Sequence, residues 1–140
     1  MKKILFVCIE NSNRSQMAEA FAKIHCPPPS PPFRGSEDQI QFFSAGSRPS
    51  GIINPKAIEA MKELGYDLTK HRSQSVEDFR NTSFEYVITM GCGDACPFIP
   101  AKHRLDWSIP EPKHMNQEEF RKIRNEIENK IKELINIINH

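Results

Sequence analysis

The fold is decided near the start of the chain, where residues 3–24 read KILFVCIENSNRSQMAEAFAKI. Residues 3–8 are mostly apolar, and β-branched or aromatic side chains among them are typical of a short strand buried on both faces. A polar loop follows, and from Ser15 to Ile24 the apolar residues recur at helical spacing. A buried strand, a polar loop and a helix in this order form the opening of an α/β unit.

The rest of the chain continues this alternation of strands and helices. Further strands are predicted at 40–44, at 86–90 and around 104–107, and further helices at 54–65, at 75–80 and from 116 onward. Asn54 and Pro55 suit a helix start, and Asn116 with Glu119 three residues later forms a capping-box pattern. Such alternation implies a parallel sheet with helices on both faces, and 140 residues fit one α/β domain.

The composition argues against several functional classes. A formal net charge of +1 offers no electrostatic case for binding nucleic acid. No run of eighteen apolar residues is present, so no membrane-spanning helix is expected. The first apolar run is too short for an export signal, and we therefore expect a cytoplasmic protein whose four cysteines stay reduced.

Residues 26–39 interrupt the α/β pattern with a proline-rich stretch. Five of the eleven prolines lie here, and prolines at this density cannot continue a helix. We predict a surface insertion between the first helix and the second strand. A proline-rich ligand for a partner domain is the alternative interpretation.

The loop after the first strand has the pattern Cys, five residues, Arg, Ser, running from Cys8 to Ser15. A loop bent around a helix N-terminus points successive backbone N–H groups inward and forms a nest for a tetrahedral oxyanion. Arg14 can bind two oxyanion oxygens at once, and the same positive field favours the thiolate of Cys8. Ser15 can donate a hydrogen bond to that thiolate, and Asn11 can brace the loop. We therefore predict that Cys8 is a nucleophile, although a small buried residue at a strand end is the plainer interpretation.

The predicted oxyanion-binding residues are those of the loop itself: Ile9, Glu10, Asn11, Ser12, Asn13, Arg14 and Ser15.

Three stretches resemble the low-molecular-weight tyrosine phosphatase superfamily: residues 8–22, Ser44-Ala45-Gly46 and Asn54-Pro55-Lys56-Ala57. Residues 11–19, NSNRSQMAE, are most similar to its arsenate reductase branch. The resemblance covers nearly the whole chain except residues 26–39. It implies a single three-layer domain with a four-stranded parallel sheet of order 2-1-3-4, and arsenate as the substrate, with phosphate or sulfate as competing oxyanions. We expect a monomer that needs no cofactor.

Two further cysteines, Cys92 and Cys96, follow the third predicted strand in the stretch MGCGDACP. In a doubly wound sheet the functional crevice lies outside the carboxyl ends of the strands, so we expect this loop beside Cys8. Thioredoxin-coupled arsenate reductases have a cysteine pair after this strand. The resemblance therefore implies a disulfide relay from Cys8 to Cys92 to Cys96, with thioredoxin or another thiol donor, such as glutathione or mycothiol, as the partner.

Three alternatives to this relay stay open. A phosphatase hydrolysing phosphate monoesters through a phosphocysteine would need no extra thiols. A non-catalytic oxyanion- or phosphopeptide-binding module would turn over neither substrate. Cys92 and Cys96 with His103 could instead contact zinc, although three ligands make a poor structural site.

The general acid and a possible ion site complete the expectations. Members of the family use an Asp-Pro late in the chain as the proton donor, and here the matching dipeptide is Glu111-Pro112. Asp106 is a possible substitute, and a solvated loop carboxylate is the plainer interpretation of Glu111. Some relatives bind potassium through Asn, Glu, Ser and Asp side chains. We predict no metal, because a glutamine stands at the Asp position; the four corresponding residues are Asn11, Glu19, Ser44 and Gln74.

Overall fold

The computed structural model describes residues 2–26, 40–91 and 99–138. Four strands lie at β1 Lys2–Cys8, β2 Ile40–Gly46, β3 Phe84–Thr89 and β4 Ala101–Asp106. Three α-helices lie at α1 Arg14–His25, α2 Pro55–Lys62 and α3 Gln117–Ile138. Two 3₁₀ helices lie at Leu68–Lys70 and Val76–Phe79.

The four strands form one parallel sheet in the order β2-β1-β3-β4, which confirms the expected topology. Strand β1 lies inside the sheet and pairs with β2 along its whole length, from Lys2 beside Ile40 to Cys8 beside Gly46. The second strand therefore runs two residues beyond the predicted 40–44, because its last residues still pair with β1. The segment predicted as a helix at 75–80 is the 3₁₀ helix Val76–Phe79.

Side chains of β1 alternate between two cores, as the pleat of a strand requires. Ile4, Phe6 and Cys8 pack with the three α-helices on one face of the sheet. Leu5 and Val7 pack on the opposite face, in a core that includes Val76 of the 3₁₀ helix together with Phe79 packed against it. Both faces of the sheet are thus covered, and Cys8 lies at the buried carboxyl end of an inner strand.

The predicted helix caps are present. The Asn54 side chain accepts a hydrogen bond from the backbone N–H of Lys56 at 2.9 Å, with Pro55 at the first helical position. Asn116 accepts from the N–H of Glu119 at 2.8 Å, and the Glu119 carboxylate accepts from the N–H of Asn116 at 3.4 Å. These local signals confirm the starts of α2 and α3.

Among the described residues, no helix is long and apolar enough to cross a membrane. Most of the predicted proline-rich insertion, residues 27–39, lies outside the described residues, as do Cys92 and Cys96.

Candidate active site

The loop at residues 9–13 joins the end of β1 to the start of α1 at the carboxyl edge of the sheet. The end of β2 packs directly against the backbone of this loop at Gly46. A Cβ atom on Gly46 would lie 2.5 Å from the carbonyl oxygen of Ile9 and 2.9 Å from the backbone nitrogen of Asn11. Glycine is therefore required at this position by the close approach of two backbones.

Backbone donors from the segment after β2 fix the shape of the loop. The carbonyl of Ile9 accepts from the N–H of Arg48 at 2.8 Å, and that of Glu10 accepts from the N–H of Ser50 at 3.0 Å. The carbonyl of Ser12 accepts from the N–H of Asn54 at 3.1 Å. The loop is consequently shaped by hydrogen bonds from the segment that follows β2.

The sulfur of Cys8 is buried and sits among hydrogen-bond donors. Its Sγ lies 2.8 Å from Ser15 Oγ and accepts from the backbone N–H of Asn11 at 3.2 Å. Asn11 Nδ2 also donates to Ser15 Oγ at 2.8 Å, which leaves the Ser15 hydroxyl proton free to point at the sulfur. Both contacts place the sulfur that would act as the nucleophile against polar groups of the loop and of α1.

A buried polar network holds Asn11 in its conformation. Asn11 has a left-handed backbone, with φ of 52°. Gln16 Nε2 donates to both oxygens of Asn11, at 3.0 Å to the carbonyl and 2.9 Å to Oδ1. Gln16 Oε1 lies 2.9 Å from His71 Nδ1, and His71 Nε2 lies 2.6 Å from the Tyr66 hydroxyl. The chain of contacts therefore runs from Tyr66 to the loop that surrounds Cys8.

The side chain of His71 lies inside the protein rather than at its surface. Only 4% of that side chain is exposed. Burial lowers the pKa of His71 below its usual range, so the ring is neutral at pH 7. An amide oxygen only accepts, so Nδ1 donates to Gln16 and Nε2 accepts from the Tyr66 hydroxyl. Sequence periodicity could not find this role, because the Gln16–His71 contact joins two stretches of the chain that lie 55 positions apart.

Arg14 joins the loop to two other parts of the sheet's carboxyl edge. Its Nη1 donates to the carbonyl of Met90 and, at 2.9 Å, to that of Ile109. Its Nη2 lies 3.1 Å from a carboxylate oxygen of Glu111. Its Nε is buried and has no hydrogen-bond partner among the described residues. The guanidinium is thus fixed at the loop, and these contacts leave its Nε–H and one N–H of Nη2 for a ligand.

Of the two candidate acids, only Glu111 contacts the loop. Its Oε1 accepts from Asn13 Nδ2 at 2.8 Å, while its Oε2 faces Arg14. Asp106 Oδ1 accepts instead from Thr89 Oγ1 at 2.5 Å and from the N–H of Gly91 at 3.1 Å. Those hydrogen bonds use Asp106 to hold the turn after β3. Of the two candidates, the geometry therefore favours Glu111 as the acid.

Comparison of the sequence and the structure with known proteins shows which family the chain belongs to. The profile of the family described as low molecular weight phosphotyrosine protein phosphatase matches residues 3–140. The chain belongs to this family. It is 36% identical over 134 residues to Arsenate reductase 2 of Staphylococcus haemolyticus (strain JCSC1435), which covers 93% of each chain.

Solved structures of family members show the same fold. An arsenate reductase in the phosphate binding state is 33% identical, covers 99% of both chains and superposes with a TM-score of 0.80. A thioredoxin-dependent arsenate reductase of Corynebacterium glutamicum is 30% identical and has a TM-score of 0.73. That match covers 99% of this chain and 62% of the other.

The residues that match the potassium ligands of some family members do not fit a cation here. Ser44 Oγ donates to Glu19 Oε1 at 2.6 Å, and Lys23 Nζ lies 2.5 Å from Glu19 Oε2. Asn11 Oδ1 already accepts from Gln16 and, at 2.7 Å, from the N–H of Gln74. The would-be ligand oxygens are occupied by the protein's own donors, and the Lys23 ammonium supplies the positive charge beside Glu19.

Two of the four cysteines lie within the described residues, at contrasting positions. Cys26 caps the far end of α1, and burial raises the pKa of its thiol, which disfavours its thiolate. Cys92 and Cys96 fall outside the described residues, but the chain that leads to them reaches the site. The N–H of Met90 donates to the carbonyl of Val7 at 2.9 Å, and a Cβ on Gly91 would lie 3.8 Å from Arg14 Nη1.

Proposed function

We propose that this chain reduces arsenate to arsenite, with Cys8 as the nucleophile, Arg14 as the oxyanion ligand and Glu111 as the proton donor. The observation that carries the proposal is the buried Cys8 sulfur, which lies in hydrogen-bond contact with Ser15 and Asn11 at one end of the loop at residues 9–13, with Arg14 at the other end. The similarity to proteins named arsenate reductases over more than nine-tenths of the chain supports the choice of substrate.

The first step joins sulfur to arsenic. Arsenate binds against the loop N–H groups and Arg14, whose Nε has no other partner among the described residues. The Cys8 thiolate attacks arsenic and forms an S–As bond, while one As–O bond breaks. Glu111 donates a proton to the departing oxygen, which leaves as water. Glu111 suits this task by its position, because its contacts with Asn13 and Arg14 hold its carboxyl group at the loop.

The second step moves two electrons onto arsenic. The thiolate of Cys92 attacks the sulfur of Cys8, and a Cys8–Cys92 disulfide forms as the S–As bond breaks. The bonding pair stays on arsenic, which leaves as arsenite in the +3 state. Cys96 then attacks Cys92, which restores the Cys8 thiolate and leaves a Cys92–Cys96 disulfide. The contacts of Met90 and Gly91 beside Val7 and Arg14 support this order, because Cys92 is the next residue in the chain.

We infer that thioredoxin reduces the final disulfide. A disulfide between two cysteines separated by three residues, next to Gly91 and Gly93, suits exchange with an external dithiol. The thioredoxin-dependent enzyme of C. glutamicum that shares this fold supports the same choice. Glutathione and mycothiol are the competing donors.

The test is NADPH oxidation by the reduced protein with thioredoxin, thioredoxin reductase and arsenate. We expect arsenate-dependent turnover that is lost in Cys8→Ser, Cys92→Ser and Cys96→Ser. Cys26→Ser is the matched control, because Cys26 lies at the far end of α1, and it should retain activity. Each sample is also tested with glutathione or mycothiol and with an aryl phosphate. Hydrolysis of the aryl phosphate that persists in Cys92→Ser, with no arsenate reduction by any donor, would show a phosphatase instead.

A further inference from the structure

An ion pair between Glu10 and Lys113 joins the loop at residues 9–13 to the segment that contains Glu111. Lys113 Nζ lies 3.1 and 3.2 Å from the two carboxylate oxygens of Glu10. The two residues are 103 positions apart in the chain, and Glu10 belongs to the loop between β1 and α1. Neither side chain has a role in the reaction proposed above.

Glu10 is the fixed end of this pair. Its backbone carbonyl accepts two hydrogen bonds, from the N–H of Ser50 at 3.0 Å and from Ser73 Oγ at 3.1 Å. These partners come from the segments after β2 and before the second 3₁₀ helix, so the backbone beneath Glu10 is held from two sides.

Beyond Lys113, the segment around Glu111 is held where the N–H of Met115 donates to the carbonyl of Pro112 at 3.0 Å and Lys56 Nζ donates to the carbonyl of Met115 at 2.5 Å. Pro110 and Pro112 flank Glu111, and neither has an N–H to donate. On one side the segment is held where the carbonyl of Ile109 accepts from Arg14. On the other side Lys113 makes two contacts, donating its backbone N–H to Glu111 Oε1 at 3.1 Å and its side chain to Glu10. Lys113 therefore contacts both the proposed acid, Glu111, and the loop at residues 9–13, which we call the oxyanion loop.

We propose that the Glu10–Lys113 ion pair positions the Glu111 carboxyl group at the oxyanion loop during the reaction. This inference rests on the proposed role of Glu111 as the proton donor. An arriving oxyanion competes for Arg14, which is one of the partners that hold Glu111. Glu111 then keeps its hydrogen bonds from Asn13 and from the backbone N–H of Lys113. The bond from Lys113 holds Glu111 in place only if Lys113 is itself held, and the ion pair with Glu10 does this. Lys113 and Glu10 are positioning residues, because they act through Glu111.

Charge cancellation is a simpler explanation of an effect of Lys113 on activity, and it predicts a different result from positioning. Lys113 also cancels the negative charge of Glu10 beside an anion site, and losing it would weaken oxyanion binding by repulsion alone. The double variant Glu10→Gln/Lys113→Met removes the pair without changing the net charge. Positioning predicts that kcat stays reduced in this double variant, whereas charge cancellation predicts full recovery.

The kinetic test measures kcat and KM for arsenate separately. We expect Lys113→Met and the double variant each to lose roughly two- to fivefold in kcat, the size typical of a partly exposed ion pair. The exchanged pair Glu10→Lys/Lys113→Glu should recover most of that loss. In a Glu111→Gln background, Lys113→Met should cost nothing further. Lys102→Met is the control, because it breaks a surface contact of 3.6 Å with Glu85 away from the loop.

A second measurement does not depend on arsenate turnover. Amide hydrogen exchange at residues 113–115, with inorganic phosphate as the probe ligand, should be faster in Lys113→Met than in the wild type and unchanged in Lys102→Met. If the wild type reduced no arsenate while Lys113→Met still showed this faster exchange, the proposed function would fail, but the role of the ion pair in holding the segment would stand. Unchanged exchange, recovery of kcat in the charge-neutral double variant, or an equal loss in the Glu111→Gln background would each overturn the positioning role.

Discussion

Replacing Gly46 with alanine tests whether the position of the loop, rather than its sequence alone, creates the site. The new Cβ would lie 2.5 Å from the carbonyl oxygen of Ile9, and that oxygen is backbone that cannot rotate away. Close carbon–oxygen contacts in proteins are about 3.3 Å or longer, so strand and loop must separate by roughly 0.8 Å. The nitrogen of Asn11, which donates to Cys8 Sγ, is the next atom in the way at 2.9 Å.

This displacement sets the expected magnitude. Overpacking of this kind costs about 1–3 kcal/mol of folding stability. A misplacement of about 1 Å in a catalytic group can cost roughly 10²-fold in rate. We therefore expect kcat/KM for arsenate in Gly46→Ala to fall roughly 30- to 100-fold at a temperature where the variant is still folded.

Gly65→Ala is the matched control, and the assay is arsenate-dependent NADPH oxidation together with thermal unfolding. Gly65 lies beyond the end of α2 with φ of +84°, and a Cβ there would meet nothing within 4 Å. The left-handed backbone makes alanine cost about 1–2 kcal/mol of stability. Its kcat/KM should nevertheless stay within about twofold of wild type, since no catalytic group moves. If Gly46→Ala and Gly65→Ala lost stability alike and both kept activity, the reasoning about the loop would be refuted.

Two further predictions concern hydrogen bonding and pH. Ser15→Ala removes the hydroxyl group that contacts Cys8 Sγ. Because hydrogen bonds to charged groups are worth about 1.5–3 kcal/mol, kcat for arsenate should fall by roughly tenfold or more. Ser15→Thr keeps a hydroxyl group and should retain most activity, and equal rates in the two variants would argue against the bond. Burial lowers the pKa of His71, so below about pH 6.5 the unfolded chain binds a proton that the folded protein resists. Stability should therefore fall as pH drops below that value, by at most about 1.4 kcal/mol per pH unit after allowance for solvent screening. Urea unfolding between pH 5 and 7 should show this slope in wild type but a flatter one in His71→Gln, and an unchanged slope would contradict the assignment.

Local sequence signals were enough to predict most of the fold. The stretch from β1 through α1 could be recognised because its apolar run, its polar loop and its helix are consecutive. The caps at Asn54 and Asn116 depend on partners two and three residues away, and both formed as predicted. Strand ends were less certain, because β2 continues to Gly46 only through its pairing with β1.

The site was predicted only where its residues are neighbours in the chain. Cys8, Asn11 and Ser15 lie within eight positions, and their contacts follow from the shape of one loop. Asn13 and Glu111 are 98 positions apart, and the family pattern suggested Glu111 as the acid but gave no signal for its contact with Asn13. The Gln16–His71 contact spans 55 positions and had no signal in one sequence, because a buried histidine and a surface histidine read alike.

The charges around the loop lead to one more prediction, in which binding and turnover change in opposite directions. Three of the described carboxylates near the loop face a cation: Glu111 faces Arg14, Glu10 faces Lys113 and Glu19 faces Lys23. Of these three, only the Glu111 carboxylate competes with an oxyanion for the Arg14 guanidinium.

Glu111→Gln removes that competing charge while keeping the side chain's size. Phosphate should therefore bind the variant more tightly, by roughly two- to tenfold, as a partly exposed ion pair to Arg14 is lost. Turnover of arsenate should fall by roughly 10²-fold or more, because an amide cannot donate the proton that a carboxylic acid supplies. Isothermal titration with phosphate and steady-state kinetics with arsenate measure the two effects separately. Weaker phosphate binding in the variant would mean that Glu111 helps to form the anion site, and unchanged turnover would mean that the proton comes from elsewhere.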